Sequence, residues 1–151
     1  MYRTLLDEVA AWSRDHDRPL QRPCLVHEIE DLRRRARREL AADVPDAYCR
    51  FLALMDGLDW NGLVIYASKT TPIAGYSDRF IEGFVEATRE WRDYEENRHL
   101  IFFGESGLSQ YAYDPSVAEF RVLDRQSNSL IERANGFDEL LFKALSAHRL
   151  T

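Results

Sequence analysis

The segment Gly104-Glu105-Ser106-Gly107-Leu108 comes within one residue of the strained turn that exposes a serine nucleophile. That turn needs a second small pivot where Leu108 stands, so the match fails on its own chemistry. His27-Glu28-Ile29-Glu30-Asp31 begins like a zinc-protease helix, but Asp31 occupies the place of the second histidine ligand. His16, His27, His99 and His148 are scattered, and Cys24 and Cys49 are too far apart for a two-cysteine clamp. No local spacing assembles a nucleophile with its base, or a metal ligand set. The expectation is a non-enzymatic protein with no cofactor and no metal.

The acids carry more information. Asp78, Glu82, Glu86 and Glu90 recur four apart, which on one helix would stack like charges at a cost of a few tenths of a kcal/mol each. Residues 76–97 hold seven acids against three arginines, so 3 − 7 = −4 of the chain's formal charge of −6 is local. Such a stripe is either a solvated face or a surface that steers a basic partner and imitates its nucleic-acid substrate. The arginine run Arg33 to Glu39 points the other way. Residues 28–50 nevertheless contain six acids and six arginines, with Glu30 to Arg34 and Asp31 to Arg35 placed to pair, so direct nucleic-acid binding is not expected.

A second candidate lies in Leu54 to Ser68, where Asp56-Gly57 and Asn61-Gly62 flank Asp59 and Trp60. Both Gly pairs accept a positive φ readily, which suggests a sharp helix-to-strand corner with Asp56 and Asn61 turning the chain. Trp60 either packs on the sheet or stands out as an aromatic anchor between acids, the residue type that dominates protein interfaces. The expected partner-binding set is therefore Asp56, Asp59, Trp60, Asn61 and Tyr66, with Glu82, Glu86 and Glu90 from the acidic stripe. Glu105, Ser106 and Tyr111 join it from a turn and hairpin expected to be exposed on the surface.

The elements that must position these residues follow from periodicity. Leu5, Leu6, Val9 and Trp12 make one helical stripe, and Ile29, Leu32, Ala36 and Leu40 another over Val26 to Leu40. Pro45 and Asp46 open a short helix carrying Tyr48, Phe51, Leu52 and Met55, with Gly57 as its stop. Leu63 to Ser68 reads as a buried strand. A helix is expected over the second half of 78–93, with Gly83 joining it to something extended. His99 to Gly104, Ser109 to Asp114 and Glu119 to Asp124 form a three-strand meander, and Phe137, Leu140, Leu141 and Leu145 a closing helix.

At 151 residues, 45% hydrophobic and 30% charged, the chain fits one globular α+β domain: N-terminal helices, a compact mainly antiparallel sheet and a C-terminal helix. The lack of a membrane-spanning apolar run or an apolar leader segment suggests a cytoplasmic protein that does not engage membranes.

Taken in order, Val44 to Ser68, Gly83 to Asn97, Leu100 to Pro115 and Phe137 to Leu145 resemble the SUKH superfamily, named partly for a yeast cell-wall synthesis regulator, and its bacterial YrhA-like branch. The resemblance lies in a proline before a Tyr-x-x-Phe-Leu helix, an Asn-Gly corner, a strand ending in Ile-Tyr, and a Phe-Gly turn before a tyrosine-rich hairpin. It implies an α+β fold and, for many bacterial members, an immunity protein that binds and neutralises a toxin passed between competing cells. Those toxins are often nucleases or other enzymes acting on nucleic acid, which suggests a basic partner. The other function found in the superfamily is an intracellular regulatory module with a non-toxin partner. The oligomeric state is left open by the resemblance.

Overall fold

The computed structural model describes residues 2–149. Each helix forms where an apolar stripe recurs at three- and four-residue spacing. The first, α1 (Tyr2–Asp15), buries Leu5, Leu6 and Val9, and α2 (Val26–Leu40) buries Leu32, Ala36 and Leu40. The charges of α2 stay outside and pair: Arg33 with Asp46, Arg34 with Asp31, Arg35 with Glu39 and Glu86, and Arg37 with Asp43. The third helix, α3 (Asp46–Leu52), is shorter than its sequence pattern suggests. Leu52 rather than Gly57 ends it, because the next residues turn to feed a strand.

Leu54 to Ser68 is not a helix-to-strand corner. Strands β1 (Leu58–Trp60) and β2 (Leu63–Ile65) form a hairpin in which Trp60 pairs with Leu63. Its two-residue loop has Asn61 at φ 50° and Gly62 at φ 85°, the double positive φ that a tight hairpin with right-handed strand twist requires. Strands β3 (Thr71–Pro72) and β4 (Phe80–Ile81) make a separate two-stranded ribbon. Gly83 then caps α4 (Phe84–Trp91), so the extended-to-helical junction falls at the expected glycine. Asp78 and Glu82 consequently precede the helix, and only Glu86 and Glu90 of the four-apart acids lie on it.

The main sheet has the order β1-β2-β5-β6-β7-β8 and is antiparallel throughout, adding β5 (Ile101–Glu105), β6 (Ser109–Asp114), β7 (Glu119–Asp124) and β8 (Leu130–Ala134). The closing helix α5 (Phe137–Ala147) packs on β7 and β8, with α1 and α3 against it, while α2 packs on α4 and α4 on β5. Phe103 joins these groups, its ring 5.1 Å from Phe137, 5.2 Å from Tyr48 and 5.8 Å from Phe84, centroid to centroid. This is the single α+β domain expected from the patterning. Among the described residues no helix is long and apolar enough to cross a membrane.

One irregularity in the sheet decides where the polar residues go. Phe102 pairs with Ala112, yet Gly104 pairs with the very next residue back, Tyr111, so β5 carries an extra residue at 102–104. Side chains alternate faces along a strand, and an extra residue reverses that phase. The bulge therefore places Phe102 and Glu105 on one face, where unbroken alternation would put them on opposite ones.

Candidate functional site

On the face set by the bulge, Asp59 pairs with Val64, Val64 with Glu105, and Glu105 with Gln110. Cross-strand partners share a face, so Glu105 and Gln110 stand side by side. Tyr66, just beyond β2, belongs to the same face. Its hydroxyl donates to Glu105 at 3.1 Å and accepts the Trp91 indole N–H at 2.9 Å. The end of α4 lies over this region, with Trp91 packed on Phe102 at 5.8 Å between centroids.

A cleft of about 230 Å³ results, lined by Glu82, Glu90, Trp91, Tyr94, Glu105 and Arg125. Its three glutamates come from three places: the residue after β4, the outer side of α4 and the end of β5. Arg125 pairs with Glu105, donates to the Ser106 carbonyl at 2.9 Å, and sits over the Trp91 ring at 5.3 Å. One cation among three carboxylates leaves the cleft acidic.

The crowding acts on Glu82. Burial, a hydrogen bond with Glu90, and the charges of Glu90, Glu105 and Glu86 together push its carboxyl up to about 7. The pair can thus hold a proton near neutral pH and release it when a cation arrives. Because the folded value lies above the ordinary one near 4.5, Glu82 contributes stability that is present below pH 4.5 and lost as pH rises through about 7. Groups facing it include Glu86 and Glu90 of α4, Glu105 of β5 and, across the cleft, Arg125. Glu82→Gln is therefore expected to match the parent at pH 4.5 and to exceed it at pH 8 by about 1 kcal/mol, a figure reduced for partial solvent screening. Urea unfolding at both pH values checks this; equal stability of the two proteins at pH 8 would contradict it.

The structure distributes the expected contact residues unevenly. Tyr66, Glu82, Glu90 and Glu105 meet at the cleft. Glu86, near enough to act on Glu82, lies outside the cleft lining and is occupied, accepting from Arg35 at 2.9 Å and from the Thr70 N–H at 3.2 Å. Trp60 is not a presented anchor: it is 4% exposed and packs in the core. Truncating it would leave a cavity rather than remove a contact. Asp56 is buried too, its two oxygens accepting the Ser68 N–H at 2.7 Å and the Ser68 hydroxyl at 3.1 Å. Asp59 lies on the edge strand, 3.7 Å from Arg79, and Asn61 at the hairpin tip donates to the His148 carbonyl at 2.6 Å.

Ser106 and Tyr111 are likewise buried rather than surface groups. The Ser106 hydroxyl accepts the N–H groups of Leu108 and Ser109, which closes the β5–β6 turn. Tyr111 projects from the opposite face to Gln110. Asn61 lines a different depression, with Asp59, Trp60 and Arg79, from the cleft that holds Glu105.

Among the described residues one group has ligand atoms close enough to consider a metal: Cys24, Glu28 and Asp56. Their oxygens are already used. Glu28 accepts from both terminal nitrogens of Arg22 and from the Leu25 N–H, and is held down to about 2 chiefly by Arg22. Asp56 accepts from Ser68 as above. The group is a satisfied network that fastens the 22–25 segment to the core.

Trp91, Tyr94 and Arg125 line the cleft, and Asn97, Gln110 and Asn128 adjoin it, without being named as contacts in the sequence. Trp91, Tyr94 and Asn97 do carry a signal, since a three-residue spacing puts two aromatics and an amide along one side of the chain as it leaves α4. Gln110 reaches the site through strand register, and Arg125 and Asn128 through the connection between β7 and β8. A scan against known protein families finds no match, and no curated protein matches the chain.

Proposed function

We propose that this protein is a non-catalytic immunity protein that binds a basic bacterial toxin and neutralises it by occlusion, with the acidic cleft as its contact site. The observation that carries this reading is the convergence of Glu82, Glu90 and Glu105 beside the rings of Trp91 and Tyr94. Like charges held together cost stability, and burial together with that repulsion raises Glu82, so a cation that relieves the repulsion is the natural complement. Tyr94 adds an exposed aromatic of the kind enriched at interfaces. The resemblance to SUKH immunity proteins and the formal charge of −6 support the same partner class.

The test is a tagged pull-down from the native cells, with the retained proteins identified and the leading one expressed alone and with this chain. A basic polypeptide that arrests growth alone and is harmless on co-expression is the expected result. Capture of a non-toxic cellular protein would replace this reading with that of a regulatory module. Protection without a complex would overturn occlusion.

A further inference from the structure

Beside the acidic cleft, and sharing Trp91, Tyr94 and Arg125 with it, lies a second depression of about 140 Å³ that includes Asn97, Gln110 and Asn128. Asn97 is 2% exposed and Gln110 1%. The side-chain oxygens of all three amides are buried and have no hydrogen-bond donor among the described residues. Asn97 is held by its Nδ2, which donates to the Trp91 carbonyl at 3.1 Å. Buried acceptors are ordinarily paired, and three unpaired ones around one small depression are a concentrated exception.

The missing complement is a group rich in donors. An anion is excluded, since the lining offers acceptors and includes Glu96, and the adjoining cleft adds Glu82, Glu90 and Glu105. Arg125 is the one cation of the two linings, against the carboxyls of Glu82, Glu90, Glu96 and Glu105, and it is already engaged by Glu105 and the Ser106 carbonyl. An ammonium group is compact and strongly hydrated and would give up water for scattered neutral acceptors. A guanidinium is flat, weakly hydrated, and carries five N–H donors in a fixed plane that also stacks on aromatic rings. Tyr94, 58% exposed, supplies such a ring at the rim. The terminal torsions of Asn and Gln are broad, so Gln110 and Asn128 can swing their oxygens onto a donor placed in the depression, while Asn97 stays fixed by its bond to the Trp91 carbonyl.

We propose that the Asn97–Gln110–Asn128 cavity receives the guanidinium end of an arginine side chain from the partner protein. The inference rests on the reading of a basic protein partner and specifies how that partner is anchored: the cleft glutamates attract it, and the amide cavity selects arginine.

The probe is ethylguanidinium, titrated into the full isotope-labelled chain while the side-chain amide signals of Asn97, Gln110 and Asn128 are followed by NMR. Ethylammonium and acetamide serve as comparison ligands. Saturable shifts of the three amides with ethylguanidinium, half-complete at about 1–10 mM, are expected for so small a fragment. Ethylammonium should bind about tenfold more weakly and acetamide should give no saturation. Gln110→Met removes an unpaired buried acceptor at nearly constant volume. It should melt at the same or a higher temperature while losing about tenfold in probe affinity, a combination that a purely structural glutamine would not give.

Equal response to ethylguanidinium and ethylammonium, shifts linear in concentration, or a Gln110→Met protein that melts lower with unchanged binding would each overturn the inference. If the probe fails to bind while a captured toxin still depends on Glu90, the cavity inference falls and the occlusion reading stands. If the probe binds and no toxin is captured, the reverse holds.

Discussion

Gly104→Ala is expected to destabilise the protein by about 3 kcal/mol, lowering the melting temperature by about 6–12 °C for a domain of this size. A Cβ built at Gly104 collides with the backbone carbonyl of Val64 in the neighbouring strand, and it also closes on the Ile65 side chain at 3.0 Å. A main-chain oxygen held in a sheet cannot step aside as a flexible side chain would. The cost therefore falls on the β2–β5 pairing, the register that sets Glu105 against Val64. Because the bulge at 102–104 turns Glu105 toward the cleft, the surviving folded fraction should also lose partner affinity. Gly107→Ala is the control, with nothing within 4 Å of its Cβ and an expected change within about 0.5 kcal/mol. Thermal unfolding of both variants decides the matter, and equal melting temperatures would refute the close-approach account.

Charge reversal at the cleft should have the largest effect on function. Glu90→Lys is expected to weaken binding to the proposed toxin partner by about 100-fold, the scale of placing a like charge against a basic surface. Glu90 is exposed, so its replacement leaves the core untouched. It also removes one of the carboxylates that, together with burial, raise Glu82, so the variant should gain a little stability at pH 8 while losing its partner. That opposition separates a contact role from a folding defect. Glu30→Lys changes net charge equally on the exposed side of α2 and should alter affinity by no more than about twofold. Calorimetry with the purified toxin is the direct check. A Glu90→Lys protein that binds as the parent does would exclude the cleft.

Much of this architecture was legible in residue order. The stripes of α2 and α5 fix both helices, the three meander strands stand where their β-branched and aromatic runs lie, and Gly83 marks the start of α4. The hairpin of β1 and β2 was harder to read because its strands are three residues long, too short for alternation to register. Strand β8 was missed outright. Its Leu130, Ile131, Glu132 and Arg133 are all exposed at the sheet edge, so burial imposes no alternating pattern on them.

The site divides the same way. Glu82, Glu90, Glu105 and Tyr66 are among the candidates the sequence offers, but as parts of a helical stripe, an exposed turn and a buried strand, not as one cleft. Their convergence depends on a bulge that no local pattern announces, and on cross-strand register that brings Gln110 beside Glu105. Trp60 misled for a physical reason: an indole between two turn pairs looks presented until the hairpin folds it inward.

The central claim, that the acidic and aromatic cleft is where a basic partner is held, is tested most directly by amide hydrogen exchange on this chain with and without the captured toxin. Protection concentrated at residues 84–98, at 105–110 and at 125–128 is the predicted result. Protection confined to α1 and the outer side of α2, with the cleft exchanging as in the free protein, would contradict it.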